Sequence, residues 1–297
     1  MTEPASRPRL PAWAQRPHVN WAALHQIKSG LRQHRLHTVC ESARCPNIHE
    51  CFGRGAATFM ILGSECTRSC GFCAVARGRG EPLDPQEPEN VARMAVVMGL
   101  RYVVLTSVNR DELADGGAAH WAATIQAVRR ALPQARVEAL TPDFCGSLEA
   151  VRQVAAAGPD VYNHNVETVP RLYRRVRPQA DYRQSLAVLA AVKTCAPAML
   201  TKSGLMVGLG ERREEVEAVL CDLRAAGCDV ATIGQYLQPT RGRLPVTRYV
   251  APEEFRHYRE YGLGMGFRNV FSGPLVRSSY MADVESMKPP MHADQRR

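Results

Sequence analysis

The stretch CTRSCGFC carries three cysteines, Cys66, Cys70 and Cys73, with the spacing C-x3-C-x2-C. A closed tetrahedral zinc site takes four ligands, which usually come from two close pairs. Soft thiolates also suit iron–sulfur clusters, where three cysteines leave one iron open to another ligand. Because the stretch offers three thiolates and no second pair, we interpret it as a cluster site rather than structural zinc.

A second group of three cysteines precedes this one, in CESARCPNIHEC, with the spacing C-x4-C-x5-C. Its members are Cys40, Cys45 and Cys51. The two groups hold six of the ten cysteines in the chain, and in principle they could share metals. The remaining four are scattered in mostly apolar surroundings, and we expect them to lie in the core. They are Cys145, Cys195, Cys221 and Cys228.

The composition is that of a globular protein with reduced thiols. The 297 residues suffice for one large domain or two ordinary ones, and 45% are apolar and 23% charged. The longest apolar runs are too short or too interrupted to span a bilayer, and the N-terminal residues lack an apolar signal core. We therefore predict a cytoplasmic protein, neither secreted nor membrane-bound, with cysteines available as metal ligands.

The chain is basic, with a formal net charge of +9. This charge indicates either an acidic partner or simply a surface that favours solubility, and the sequence leaves both open. The densest basic run has five arginines between Arg171 and Arg183. Helical spacing would put Arg171, Arg174 and Arg175 on one side, as a docking face or a solvated one. A zinc-stabilised nucleic-acid-binding protein is disfavoured, because the cysteine spacing is wrong and no aromatic–basic interleaving supports base stacking.

Short apolar runs alternate with helix-like stretches along most of the chain. The strand-like runs are ATFMILG (57–63), RYVVLTS (101–107), RVEALTP (136–142), DVYNHNV (160–166), KSGLMVG (202–208) and DVATIGQYL (229–237). The helix-like stretches are 87–98, 117–132, 147–157, 170–193 with a break at Pro178, 211–226 and 252–261. The strands are almost uniformly apolar, as expected of strands covered on both faces.

Six strand–helix units in a row predict a parallel α/β fold, and the pattern alone leaves a barrel and a doubly wound sheet open. A seventh short run, NVFSG (269–273), would close or extend the sheet. In either fold the chemistry belongs at the carboxyl ends of the strands, and the cysteine loop follows the first strand.

The cysteine loop, with the aromatic Phe72 before its last cysteine, resembles the signature of radical S-adenosylmethionine enzymes. In that family S-adenosylmethionine chelates the open iron of a 4Fe–4S cluster. One electron from the cluster cleaves the sulfonium, and the resulting 5′-deoxyadenosyl radical abstracts hydrogen from an unactivated carbon. The resemblance implies that Cys66, Cys70 and Cys73 are cluster ligands and catalytic residues. It also implies a partial (β/α)6 TIM-type barrel, with an N-terminal cysteine-bearing extension and a C-terminal tail that closes the site.

Within that family, seven motifs in order resemble the lipoyl synthases, from about residue 38 to residue 283. They are CESARCPNIHECF, MILGSECTRSCGFCAV, TSVNRDELADGGA, NHNVETVPRLYRRVRP, TKSGLMVGLGE, QYLQPTRGRLPV and GPLVRSSY. The resemblance implies a sulfurtransferase that inserts two sulfur atoms, at carbons 6 and 8 of an octanoyl chain carried on a protein lysine. The alternative is another sulfur-inserting radical enzyme of the biotin synthase or methylthiotransferase type, which would share only the second cysteine group.

The same resemblance assigns a second, auxiliary 4Fe–4S cluster to Cys40, Cys45 and Cys51, where it donates sulfur and is consumed. The family pattern places its fourth ligand on the second serine of the RSSY motif, Ser279. A serine oxygen is a hard donor on a soft cluster. We therefore infer that, when sulfur is extracted, the serine dissociates from the cluster more readily than a thiolate ligand would.

Five further residues are implied as contacts of S-adenosylmethionine: Phe72, Asn165, Glu167, Gly204 and Gly208. The two glycines belong to GLMVGLGE, which resembles the radical-enzyme segment G-x-I-x-G-x-x-E. Strand alternation places Asn163, Asn165 and Glu167 on one face, and His164 on the opposite, structural face. Arg110 and Asp111 are polar residues at a strand end without an assigned role.

The resemblance also implies partners and a domain plan. The partners are octanoylated lipoyl carrier domains (E2 subunits of 2-oxoacid dehydrogenases and the H protein of glycine cleavage), a flavodoxin or ferredoxin as electron donor, and a carrier that repairs the auxiliary cluster. Neither nucleic acid nor membrane is expected. We divide the chain into an N-terminal arm with the auxiliary-cluster segment (1–54), the partial barrel (55–268) and a C-terminal segment with RSSY (269–297).

Overall fold

The structure is a computed structural model that describes residues 29–34, 36–38, 41 and 56–279. Cys40, Cys45 and Cys51 lie outside the described residues, so the predicted auxiliary-cluster ligands are not placed. No helix in the described part of the chain is long and apolar enough to cross a membrane.

The described strands form one main sheet and a small two-stranded one. In chain order they are β1 (His37–Thr38), β2 (Ala56–Ile61), β3 (Glu65–Cys66), β4 (Ala76–Arg77), β5 (Tyr102–Ser107), β6 (Arg136–Leu140), β7 (Val161–Asn163), β8 (Leu200–Val207), β9 (Val230–Gln235) and β10 (Asn269–Gly273). The main sheet has the order β1-β2-β5-β6-β7-β8-β9-β10. Only the β1–β2 pair is antiparallel, and the pairs from β2 to β10 are parallel.

Helices connect the parallel strands. They are α1 (Glu87–Val97), α2 (Ala118–Ala131), α3 (Leu148–Ala156), α4 (Tyr173–Val176), α5 (Tyr182–Cys195), α6 (Arg213–Ala225) and α7 (Pro252–Gly264). The predicted break in the fourth stretch is present, because Pro178 lies between α4 and α5. Within the described residues β10 pairs with β9 alone, so the seventh strand extends the sheet and leaves it open. The predicted partial barrel is confirmed.

Alternation along the strands gives the sheet an apolar helix-facing side and a polar concave side. Phe59, Leu105 and Val137 point outward into one apolar cluster, which contains Trp121 from α2. A second cluster joins the later strands to α6 and α7, with Ile233 among its members. Burying such side chains stabilises the fold by about 1.5–3 kcal/mol each. The residues that alternate with them are therefore free to build a site on the concave side.

A buried polar group lies on the concave side, centred on Glu138 of β6. One carboxylate oxygen accepts a hydrogen bond from Asn163 Nδ2 at 2.7 Å, and the other accepts one from the Tyr102 hydroxyl at 2.7 Å. Lys202 of β8 pairs with the same carboxylate at 3.3 Å, and both charged side chains are at most 3% exposed. A buried charge is tolerated only when it is paired and hydrogen-bonded, so this group ties β5, β6, β7 and β8 together.

The prediction that the four scattered cysteines are core residues is wrong for three of them. Cys228 is buried, whereas Cys145, Cys195 and Cys221 are exposed. The apolar neighbours of Cys195 and Cys221 belong to the buried faces of α5 and α6, and these two cysteines lie on the other side of their helices. Cys145 lies in a turn after β6 with a φ of 51°.

His164 lies in a buried, hydrogen-bonded position just after β7, and this has a consequence for pH. Its ring is 1% exposed and its Nδ1 donates to the carbonyl oxygen of Thr141 at 2.9 Å. Burial, reinforced by the charge of Arg177, lowers the pKa of His164 from 6.5 to about 4. Between these pH values the unfolded chain takes up a proton that the folded chain does not, so the folded state loses stability as the pH falls.

Between pH 6.5 and pH 4, His164 should lower the free energy of unfolding by about 3 kcal/mol. We expect His164→Gln to remove this contribution, so that the stability of the variant falls less over the same range. The measurement is the urea midpoint across this range under anaerobic conditions. An unchanged slope in His164→Gln would contradict the assignment.

Candidate functional site

The cysteine loop begins where β2 ends, at a tight turn. Leu62 has a φ of 68°, in the left-handed region that side chains rarely adopt. Its N–H donates to a carboxylate oxygen of Glu87 at 2.8 Å, and its carbonyl accepts from Arg110 Nη1 at 2.8 Å. Gly117 has a φ of 88°, and a Cβ there would lie 2.6 Å from Leu62 Cδ1, so this position favours glycine. The turn is thus fixed from three sides, and it directs the chain towards Cys66.

Arg68, inside the loop, connects it to the ends of the next two strands. Its guanidinium is 5% exposed and forms a two-pronged contact with each of two carboxylates. Nε and Nη2 donate to Asp111 at 2.7 and 3.0 Å, and Nη1 and Nη2 donate to Asp143 at 2.8 and 2.6 Å. Burial by itself would raise the pKa of Asp143, but its hydrogen bonds and charge interaction with Arg68 outweigh this and lower the pKa to about 2. Asp111 follows β5 and Asp143 follows β6, so one side chain holds three strand ends together.

The Cys66 sulfur accepts hydrogen bonds from its surroundings. The backbone N–H groups of Arg68 and Asn109 lie 3.4 and 3.3 Å from Sγ, and Asn109 Nδ2 lies at 3.8 Å. Hydrogen bonds to sulfur stabilise negative charge on it, whether in a thiolate or in a cluster. Asn109 is therefore a donor to the cysteine loop.

Cys70 and Cys73 lie on the far side of the loop and are half-buried. Burial raises the pKa of Cys70 to about 11 and also raises the pKa of Cys73. The peptide between them is anchored, since Gly71 N–H donates to the carbonyl of Val176 at 2.8 Å and Gly71 carbonyl accepts from Leu244 at 2.9 Å. Metal binding requires thiolates, so loading these cysteines releases protons.

A polar cradle lies on the concave side at the ends of β7 and β8. Asn165 Nδ2 donates to Ser278 Oγ at 2.6 Å and to Glu167 Oε1 at 3.0 Å, and burial raises the pKa of Glu167. A Cβ on Gly204 would lie 2.5 Å from Thr232 Oγ1 and 2.9 Å from Asn165 Oδ1. Asn165 Oδ1 is buried and has no hydrogen-bond partner among the described residues. The cradle therefore offers an acceptor for a group that the described residues do not supply.

The residues before the end of the described chain cover this cradle. A Cβ on Gly234 would lie 2.1 Å from the carbonyl oxygen of Val276, so the C-terminal segment runs directly across β9. Ser278 contacts Asn165, and Ser279, the predicted auxiliary-cluster ligand, is half-buried and adjacent. Its role as a ligand stays a prediction, because the first cysteine group lies outside the described residues.

Three other predicted residues lie outside the cradle contacts. Asn163 hydrogen-bonds Glu138 in the buried polar group, because β7 ends at Asn163 and the strand alternation does not continue to Asn165. A Cβ on Gly208 would meet Gln235 and the Arg248 carbonyl, and Gly208 has a φ of 104°. Phe72 packs against the second apolar cluster. The predicted cofactor contacts of Gly208 and Phe72 stay predictions.

The glycine segment GLMVGLGE has an internal structural role as well. The carboxylate of Glu211 accepts the backbone N–H groups of Gly208 at 2.6 Å and of Leu209 at 2.9 Å. Glu211 is 4% exposed, so this contact closes the turn after β8 in a buried position.

The chemistry of the donors fits a polynuclear cluster with a small polar ligand. In the described part of the chain, no three His, Cys, Asp or Glu side chains are placed to hold a single metal ion. A cubane cluster takes its thiolates at separate corners, so the three cysteines of one loop suit it. The open acceptor of Asn165 and the carboxylate of Glu167 suit an amino or hydroxyl group nearby.

Two family models match the sequence. The model for the radical S-adenosylmethionine (SAM) superfamily covers residues 60–223, which include the cysteine loop and the strands from β5 to β8. The model for the N-terminal domain of lipoyl synthase covers residues 1–45.

Curated relatives match almost the whole chain. A lipoyl synthase of Thioalkalivibrio sulfidiphilus is 55% identical over 96% of this chain and 90% of its own length. One from Rubrobacter xylanophilus is 57% identical over 93% of this chain and 86% of its own length. The chain belongs to the lipoyl synthase family. The prediction of this family from the seven motifs is confirmed, and a 4Fe–4S cluster and S-adenosylmethionine are the cofactors that radical SAM enzymes share.

Solved structures share the fold. Methylornithine synthase superimposes with a TM-score of 0.54 at 13% identity, over 90% of this chain and 85% of that one. SuiB of Streptococcus suis, bound to S-adenosylmethionine, gives a TM-score of 0.55 at 12% identity, over 72% and 49% of the two chains. At such identities the likeness of these structures to this chain extends to the architecture alone.

The sequence analysis missed the side chains that hold the cysteine loop in place. Arg68 was visible only as part of CTRSC, and Asp143 as a polar residue after a strand. The one available signal was position, since both Asp111 and Asp143 follow the carboxyl ends of strands adjacent to the cysteine loop.

We expect Arg68→Met to destabilise the protein by about 3–5 kcal/mol, because Asp143 would keep a buried charge without its partner. The urea midpoint of the apoprotein and the iron and sulfide content after reconstitution should both fall. Arg77→Met is the matched control, since Arg77 is exposed beside the same loop and donates to the Ser69 carbonyl at 3.1 Å. Full iron loading and unchanged stability in Arg68→Met would disprove this role.

Proposed function

We propose that this protein inserts sulfur at carbons 6 and 8 of an octanoyl chain attached to the Nζ of a carrier-protein lysine. The family assignment supports the activity. The observation that carries the site is the position of three half-buried thiols at the carboxyl end of β2, next to the polar cradle.

Cys66, Cys70 and Cys73 would hold the radical cluster in this proposal. Once bound, that cluster and S-adenosylmethionine supply the one-electron cleavage that permits hydrogen abstraction from an unactivated carbon. Arg68 and its two carboxylates hold the loop in position, and the two backbone hydrogen bonds of Gly71 anchor the peptide next to Cys70.

The cradle would orient the cofactor. Asn165 Oδ1 has no partner among the described residues and lies close to Gly204, where the absence of a side chain lets Asn165 and Thr232 approach the backbone. Glu167 is held by Asn165 and by backbone hydrogen bonds between its own peptide groups and β8. These contacts support our proposal that Asn165, Glu167 and Gly204 bind S-adenosylmethionine.

The auxiliary cluster is a finer part of the proposal. Cys40, Cys45 and Cys51 would bind it with Ser279, and it would supply the inserted sulfur. The position of Ser278 in the cradle supports this arrangement, because it brings the adjacent Ser279 to the mouth of the same site. The division of the chain into segments 1–54, 55–268 and 269–297 is part of the same proposal, because the auxiliary-cluster ligands come from the first and last of these segments.

Octanoylated carriers are the substrates that the family implies, and the finer partners are proposals. They are the E2 subunits and the H protein as carriers, a flavodoxin or ferredoxin as electron donor, and a cluster-repair carrier. Arg171 is paired with Glu215 at 2.7 Å, whereas Arg174 and Arg175 are exposed on α4, next to the anchor of the cysteine loop. We propose that these two arginines dock the acidic face of a carrier.

The test is an anaerobic reaction of reconstituted protein with S-adenosylmethionine, dithionite and a peptide that carries octanoyl-lysine. We expect mass spectrometry to show the gain of one and then two sulfur atoms. Cleavage of S-adenosylmethionine without any sulfur in the peptide would contradict the proposed substrate.

Two serine variants in this assay separate the roles of the RSSY residues. Ser279→Cys should retain cleavage of S-adenosylmethionine and lose sulfur insertion, because a thiolate ligand resists release. Ser278→Cys is the neighbouring control and should reduce cleavage itself, because it alters the acceptor of Asn165. Normal product formation by Ser279→Cys would remove this residue from the mechanism.

A further inference from the structure

A buried guanidinium, that of Arg177, lies behind the cysteine loop. The residue follows α4 and is 9% exposed. Its Nη1 donates to the Asn165 carbonyl at 2.9 Å and lies 3.4 Å from the Tyr173 hydroxyl. The guanidinium also lies over the Tyr173 ring, with Cζ 5.6 Å from the centroid. The position is therefore rigid.

The hydrogen-bond partners described for Arg177 are all neutral oxygens. They are the two backbone carbonyls of Asn165 and Val166 and the Tyr173 hydroxyl. Its Nε is buried without a hydrogen-bond partner among the described residues. A buried cation without a carboxylate in direct contact is costly, and such a cost is usually met by a nearby negative charge.

Negative groups lie near it on two sides, since the charge of Arg177 interacts with the Glu167 carboxylate and with Cys70 of the cysteine loop. The carbonyl of Val176, the residue before Arg177, accepts the N–H of Gly71, the residue after Cys70, at 2.8 Å. The Arg177 and Cys70 side chains are close enough for their charges to interact appreciably. The backbone hydrogen bond thus joins the segment that carries the guanidinium to the segment that carries a predicted cluster ligand.

The positive charge of Arg177 would affect the one-electron reduction of the cluster. Three thiolates give such a cluster a net negative charge, and one-electron reduction makes it more negative. Net charge, hydrogen bonds to sulfur and solvent exposure set the potentials of iron–sulfur clusters. A cation held in a poorly solvated site stabilises the reduced form more than the oxidised form, because Coulomb interactions are strong there.

We propose that Arg177 is a positioning residue that raises the reduction potential of the cluster held by Cys66, Cys70 and Cys73. The proposal rests on the cluster site of the proposed function. It gives the buried Arg177 an electrostatic role beside the cysteine loop, which differs from the docking role proposed for the exposed Arg174 and Arg175.

The test is a potentiometric titration of the reconstituted full-length protein, followed by electron paramagnetic resonance. It is repeated with Cys40, Cys45 and Cys51 changed to Ala, so that one cluster signal remains. We expect Arg177→Gln to lower the equilibrium constant for reduction about tenfold, which is about 59 mV for one electron. Arg177→Lys should recover most of the difference, since it keeps the charge.

Two further variants make the result decisive. Arg183→Gln removes an exposed arginine of the same run and should leave the potential unchanged. Arg177→Met is neutral and adds no polar side chain to this buried position, so it replaces Arg177→Gln if that variant does not fold.

An unchanged potential in a fully iron-loaded Arg177→Gln or Arg177→Met variant would overturn the proposal. The same holds if S-adenosylmethionine binding is lost while the potential stays, since Arg177 would then be a cofactor ligand. Absence of any cluster signal from the wild-type loop would instead refute the proposed site, so the two failures are distinguishable.

Discussion

The paired contacts of Arg68 with Asp111 and Asp143 are the constraint on which the rest of the site depends. A cysteine loop of eight residues has little structure of its own, and its thiols must keep a fixed spacing to hold a cluster. The guanidinium attaches the loop to the ends of β5 and β6 by four hydrogen bonds in a buried position. The loop therefore inherits the rigidity of the sheet, whose helix-facing side is apolar and closely packed.

Charge is distributed around the loop in a consistent way. Arg68 is matched by two carboxylates, and Glu138 is matched by Lys202 in the buried polar group. Arg177 has no carboxylate among its described hydrogen-bond partners, and its charge interacts with Glu167 and with Cys70. Asn165 likewise keeps one oxygen open in the cradle. Arg177 and Asn165 thus lie where a cluster and its ligand are expected, whereas the ion pairs of Arg68 and Glu138 stabilise the fold around them.

Much of the fold was predictable, because apolar runs and glycines mark buried strands and helix ends. The six strand–helix units agree with the structure to within a few residues, except where β7 ends at Asn163 and Glu167 adopts a φ of 65°. The site was predictable only where spacing carries chemistry, as in the cysteine loop. Arg68 and its partners are 43 and 75 residues apart, and their burial depends on the tertiary fold. The exposure of Cys145 likewise follows from a turn that propensity does not show.

The central claim is that Cys66, Cys70 and Cys73 hold a cluster with one iron open to S-adenosylmethionine. The most direct measurement is the iron-57 Mössbauer spectrum of protein in which Cys40, Cys45 and Cys51 are changed to Ala, with and without S-adenosylmethionine. The account predicts a four-iron spectrum in which one iron alone changes when the cofactor is added. A spectrum that does not respond to the cofactor, or protein that binds zinc and no sulfide, would contradict it.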